Sequence, residues 1–195
     1  ISGLENLATR NGDLTRVAAV ASFFVSRVDT TVDAILEDRI RRGHQNLRDL
    51  QGKAAVANAK IAYRDFKDTF GSRRFSQLRE KGARVQRPLW ASTSVKNPAY
   101  SDVLYVESLI GLNTVNTMPE DTLTAFIDHG QTTETLEQDI AGAEQTLASL
   151  EKAGINMDEI TAGLLSDGVK AFSDSFDQLM ANIGEKRLEL LAQRR

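Results

Sequence analysis

The chain has 195 residues, 41% of them apolar and 26% charged, with 3 Pro and 13 Gly, a composition that can bury a core and excludes disordered or fibrous classes. Lys and Arg number 24 against 27 Asp and Glu, a net charge of -3, so no basic surplus points to nucleic acid or to an anionic membrane surface. The absence of cysteine excludes disulfides, thiolate catalysis and Cys-ligated zinc, and with His44 and His129 as its two histidines the chain is not expected to build a His-rich metal site. A reducing cytoplasm is the expected compartment. No apolar run reaches the roughly 18 residues that a membrane span needs, and no Arg-led signal segment opens the chain.

Ile1, Leu4, Leu7 and Ala8 stand at helical spacing with no Met and no capping residue before them, so the chain is expected to begin inside a helix with more of the domain upstream. Residues 17–26, VAAVASFFVS, form a short apolar run and predict a strand buried on both faces. Asp29-Thr30-Thr31 is the expected cap of the next helix, with Val32, Ile35, Leu36 and Ile40 inward and Gly43 at its end. A second helix runs from about Gly52 to Gly71 on the spacing of Ala55, Ala59, Ala62, Phe66 and Phe70.

The pattern repeats downstream. Residues 87–93, RPLWAST, predict a second buried strand with Pro88 at its start, where a missing N–H does least harm. A loop through Lys96, Asn97 and Pro98 leads to a short helix near 102–109, and residues 113–117, NTVNT, predict a third strand. Pro119-Glu120 opens a further helix with Leu123, Phe126 and Ile127 inward. Leu136, Ile140, Ala143, Leu147 and Leu150 form an amphipathic stripe ending at Gly154, with an acidic opposite face. A last helix, capped by Asp167 and closed by Gly184, carries Val169, Phe172, Phe176, Leu179, Met180 and Ile183. Strands separated by helices predict parallel pairing in an α/β sheet. Three such strands would leave two long edges open, so they are expected to belong to a larger sheet such as a closed eight-stranded barrel.

On such a barrel the chemistry gathers where the strands end. Ser22, Phe24 and Arg27 stand at the end of the first strand, and Ser92, Thr93, Ser94 and Lys96 at the end of the second. Hydroxyls followed by one cation, twice over, suit a phosphate monoester. The plainer alternatives are a solvated Arg27 or its ion pair with Asp29 or Asp33, and a surface loop for Lys96. His129 reads as a helix-end residue, His44 as exposed loop, and Trp90 as core. Residues 60–90 hold nine bases against three acids, but without interleaved exposed aromatics they read as solvated faces.

The segments VASFFVSRVDTTVD, GKAAVANAKIAY, QRPLWASTSVKNPAYSDVLYVESLIGLNTVNTMPEDTL and GINMDEI followed by DGVKAFSDSFDQLM resemble bacterial transaldolases of the long type, over nearly the whole chain. The resemblance implies a class I aldolase-like TIM (β/α)8 barrel in the pentose phosphate pathway. It would move a dihydroxyacetone unit from sedoheptulose 7-phosphate to glyceraldehyde 3-phosphate through a lysine Schiff base, with no cofactor and no metal. It implies that residues 1–195 are one domain, the C-terminal portion of that barrel, from the sixth to the eighth strand-helix unit with extra C-terminal helices. The Schiff-base lysine and the acid/base carboxylates are then expected upstream of Ile1, on the missing N-terminal half of the barrel, and no catalytic residue is assigned here.

What the resemblance carries over is substrate binding. Ser22, Phe24 and Arg27 match the family's motif of serine, aromatic and phosphate-binding arginine, and Ser92 matches its next serine. Other branches place an arginine soon after that serine; here Thr93-Ser94 stand there, which leaves Lys96 as the expected second cation. Ser94 to Ala99 superficially resembles the family's lysine strand, but it follows the WAST strand, so the Schiff base is not assigned to Lys96. The expected partners are sugar phosphates, not nucleic acid or membrane, and the alternatives are another barrel phosphosugar aldolase or a non-catalytic helical interaction module.

Overall fold

The computed structural model describes residues 1–192. They fall into two compact units, Ile1–Ile155 and a second that begins at Asn156. In the first unit, helix α1 (Ser2–Thr9) precedes strand β1 (Val20–Phe24), helices α2 (Ser26–Arg41), α3 (Ala54–Gly71) and α4 (Arg73–Arg79), and strand β2 (Arg87–Ala91). Helix α5 (Leu104–Ser108), strand β3 (Val115–Asn116), and helices α6 (Glu120–His129) and α7 (Ile140–Lys152) complete it. The second unit holds α8 (Met157–Ala192).

The three strands form one parallel sheet in the order β1-β2-β3. Val20 pairs with Arg87 through to Phe24 with Ala91, and Leu89 and Trp90 pair with Val115 and Asn116. All three strands therefore end on one rim. Trp90, 1% exposed, meets the Phe23 ring edge-on at 5.7 Å and donates its indole N–H to the Leu109 carbonyl at 3.1 Å. As expected of a core tryptophan, it joins the sheet to the end of α5 and leaves no buried indole N–H unpaired.

Helices α2 and α3 pack on one another and bury Val28, Val32, Leu36 and Ile40 from the first and Ala54, Ala55, Ala57, Ala59 and Tyr63 from the second. The small residues of α3 allow its close approach to α7, which the ion pairs Arg64–Glu144 and Lys67–Glu137 flank. A smaller cluster of Leu14, Phe75, Leu78 and Ala83 takes in the apolar stripe of α1. Helices α2 and α7 both stop in the same way. Gly43 and Gly154 take φ of 107° and 74°, and His44 and Ile155 reach back to the Arg39 and Leu150 carbonyls, the left-handed cap for which glycine is suited.

Several expectations are corrected. β1 is shorter than residues 17–26 because a 3-10 turn, Leu14–Arg16, capped by Asp13, precedes it. Nor is it buried on both faces: with a neighbour on one side alone among the described residues, Val20 and Phe24 are 41% and 38% exposed. Asp29 is not a cap, since α2 starts at Ser26 and carries Asp29 inward, 1% exposed. Leu123 and Ile127 face outward from α6, 45% and 77% exposed, while Thr122 is its buried residue. Leu136 is buried but precedes α7, whose cap is Asp139. The separate α4, with Phe75 and Leu78 in the core, was not anticipated; Ser72 breaks the long helical run and caps the new helix.

In the second unit, neither Asp167 nor Gly184 bounds a helix. α8 runs through both, because Asn156 caps it by accepting from the Asp158 and Glu159 N–H groups and glycine in a helix costs only about 1 kcal/mol. No described helix is long and apolar enough to cross a membrane.

Candidate functional site

The rim of the sheet is held together by backbone bonds beyond the strands themselves. Val25 and Ser26 donate to the Ala91 and Ser92 carbonyls at 2.9 and 3.0 Å, and Thr117 donates to the Trp90 carbonyl at 2.9 Å. Thr93 is fully buried, and its hydroxyl lies 2.8 Å from the Asn116 side-chain oxygen and 3.2 Å from the Thr117 carbonyl. These bonds set the loop after β2 against the start of α2 on one side and the end of β3 on the other.

Three of the five residues singled out from the sequence, Phe24, Arg27 and Ser92, stand on this rim, and Ser22 lies mid-strand in β1, paired with Leu89. Ser22 and Phe24 share the β1 face opposite Phe23. Arg27 lies in the first turn of α2, its guanidinium carbon 5.2 Å from the centre of the Phe24 ring, a distance at which the ring face attracts a cation. It makes no ion pair with Asp29 or Asp33 among the described residues. The outward Arg27 and the stacked Phe24 thus form one exposed surface beside the N–H groups that open α2, where partial positive charge favours an anion. Ser92 reaches the same place from β2 through the Ser26 N–H bond, and its backbone is left-handed, φ 55°. A non-glycine residue held there costs about 1 kcal/mol or more, a feature with no signal in the sequence.

Lys96 is placed differently. It stands exposed on the loop that leaves the rim and makes no hydrogen bond or ion pair among the described residues. Beyond it, Asn97 folds the loop into a turn: its side-chain oxygen accepts the Ala99 N–H at 3.0 Å and its carbonyl the Tyr100 N–H at 3.1 Å.

Beneath the rim lies a polar cluster that the sequence reading missed. Asp29 accepts from the Ala55 N–H at 2.8 Å and the Tyr105 hydroxyl at 2.9 Å; Asp33 accepts from the Gly52 N–H at 3.0 Å and the Tyr100 hydroxyl at 2.7 Å. Each carboxylate joins the approach to α3 with the segment after β2. Burial pushes the Asp29 carboxyl up to about 6 against those hydrogen bonds, and raises Asp33 for the same reason. Both tyrosine hydroxyls are pushed well above their ordinary range, first by burial and then by the adjoining carboxylates. The available signal was two acids four apart inside the Val28, Val32, Leu36 stripe, which a solvated helix face would not place there.

Of the residues read as structural, His129 ends α6 and pairs with Asp102 at 2.9 Å and Asp128 at 3.2 Å, and the Asp102 contact, then the Asp128 one, raises its pKa. His44 is an exposed loop residue. In the basic stretch, Arg74 pairs with Glu5 and Arg79 lies over Phe75.

A parallel sheet whose strands are joined by helical crossovers defines an α/β architecture. The family profile described as transaldolase/fructose-6-phosphate aldolase matches residues 5–183, and the chain belongs to that family. It is 48% identical over 181 residues to a transaldolase of Mycolicibacterium smegmatis, covering 92% of this chain and 48% of that one. A transaldolase of Thiobacillus denitrificans is 48% identical over 184 residues, 94% of this chain and 50% of its own, and one of Saccharopolyspora erythraea is 46% identical over 187 residues, 95% and 50%. The chain spans about half the length of these curated relatives.

Proposed function

We propose that this chain is the downstream part of a transaldolase barrel, its sixth to eighth strand-helix units, and that it supplies the grip on the substrate phosphate. Arg27 offers its planar fork, Lys96 a second positive charge, and the Ser22 and Ser92 hydroxyls the remaining donors. Phe24 holds the guanidinium by its ring face. The observation that carries the reading is the convergence of Arg27 and Ser92 on one rim through the Ser26 N–H bond to the Ser92 carbonyl, in a chain matched along most of its length by transaldolases twice as long.

In the complete barrel the upstream lysine would attack the ketose carbonyl of sedoheptulose 7-phosphate, with loss of water, to give a protonated imine. That imine takes the electron pair of the breaking carbon-carbon bond as erythrose 4-phosphate leaves. The bound three-carbon unit then adds to glyceraldehyde 3-phosphate, and water releases fructose 6-phosphate. The residues of this chain bind and orient; the proton transfers belong to upstream carboxylates. The open edges of β1 and β3 among the described residues, and the outward Leu123 and Ile127, support a partner half that covers them.

The test is a coupled assay for erythrose 4-phosphate, run on residues 1–195 alone and with the upstream residues restored. Turnover only in the second is expected, and turnover by the 195 residues alone would overturn the assignment of the nucleophile. In the restored protein Arg27→Ala should weaken inhibition by inorganic phosphate by about tenfold or more, the scale of a lost charge-assisted contact. Release of free dihydroxyacetone instead of transfer would favour the fructose-6-phosphate aldolase branch of the same family. Borohydride trapping with fructose 6-phosphate should leave Lys96 unmodified.

A further inference from the structure

Lys96 and Arg27 sit on different elements, and two cations grip one phosphate only if their spacing is held. Thr93 fixes one end of the Lys96 loop to the rim. At the other end, Tyr100 is held twice over. Its hydroxyl donates to Asp33 at 2.7 Å, and its ring lies against Gly52, where a Cβ would stand 2.7 Å from the ring carbon that bears the hydroxyl. Gly52, at φ 68°, in turn donates its N–H to the other Asp33 oxygen. Asp33 is 8% exposed and lies on α2, the helix that begins with the Arg27 turn.

We propose that Asp33 and Tyr100 are positioning residues for the anion site, their hydrogen bond tying the loop that bears Lys96 to the helix that bears Arg27. This rests on the phosphate reading above. The Asn97 turn transmits the constraint, since its bonds to Ala99 and Tyr100 leave little slack between the tyrosine and Lys96. Burial of the Asp33 carboxyl does not oppose the role, because both of its oxygens carry a donor.

The experiment uses the protein with its upstream half restored and reads inorganic phosphate binding by calorimetry together with KM and kcat for the phosphorylated ketose. Tyr100→Phe keeps the ring on Gly52 and removes only the hydroxyl. It should raise the phosphate Kd and the KM about three- to tenfold, the scale of one hydrogen bond, with kcat within about twofold of the parent. Asp33→Asn should act in the same direction and serves if the first variant fails to fold. In a Lys96→Ala background Tyr100→Phe should add no further loss, because its effect runs through the lysine. If Arg27→Ala and Lys96→Ala themselves leave phosphate binding unchanged, the phosphate reading falls and the positioning role with it. If those two weaken binding while Tyr100→Phe and Asp33→Asn bind normally, or if the Tyr100→Phe loss adds in full to that of Lys96→Ala, the positioning role alone is overturned. A fall in kcat at unchanged KM overturns it as well.

Discussion

Replacing Asp29 by asparagine tests the buried carboxylates directly. The folded protein raises this acid from its ordinary 3.8 to about 6, so the folded state holds a proton that the unfolded chain has already released. Stability from this group is therefore fully present below pH 3.8 and is lost as the pH climbs through 6, and the whole shift corresponds to about 3 kcal/mol. Between pH 4 and pH 7 about 2 kcal/mol of it disappears. Asparagine cannot ionise; its oxygen can still accept the Ala55 N–H, while its amide would face Tyr105 and take away the acceptor of that hydroxyl, a cost of about 1–3 kcal/mol at every pH. Asp29→Asn should accordingly be destabilising at pH 4 and gain about 2 kcal/mol relative to the parent by pH 7. Urea unfolding of both proteins at half-unit pH steps, followed by circular dichroism, gives the difference curve. A curve flat to within about 0.5 kcal/mol would show that the folded state does not raise this acid, and the linkage argument would fail.

Other outcomes follow from the same packing. Trp90→Ala should cost about 3–5 kcal/mol in unfolding free energy, since it empties the centre of the sheet and orphans the Leu109 carbonyl. Gly154→Ala should lower stability by about 1 kcal/mol, seen as a lower urea midpoint at unchanged slope; a Cβ there meets nothing closer than Arg39 at 3.6 Å, so the cost is conformational. A proton NMR titration should place His129 above its ordinary 6.5, and Asp102→Asn should bring it down because that carboxylate is the largest cause of the rise.

How much the sequence disclosed depended on whether a signal was local. The parallel β1 and β2 were legible because VAAVASFFVS and RPLWAST are apolar runs bounded by breakers, and Gly43 and Gly154 marked helix ends because the left-handed cap is a single-residue requirement. Asp29 was misread for the opposite reason: it looks like a cap to its own neighbours, and only Ala55 and Tyr105, distant in the chain, show why it turns inward. Leu123 and Ile127 have the spacing of a buried stripe, yet whether a stripe is covered depends on elements that the spacing does not report. At the candidate site, the residue types of Ser22, Phe24, Arg27 and Ser92 were readable, whereas the left-handed turn at Ser92 and the Asp33–Tyr100 bond depend on partners distant in the chain.

Arg27 opens the helix that follows β1 and Lys96 lies on the loop that follows β2, and these two strands are paired, so under the proposed reading the anion grip is inherited as a single piece. Recombining this segment with upstream halves from other relatives would exchange the reacting groups while keeping the handle by which the sugar is carried. Chimeras joined ahead of α1 would then diverge in the bonds they make and break but agree in their preference for a phosphorylated tail.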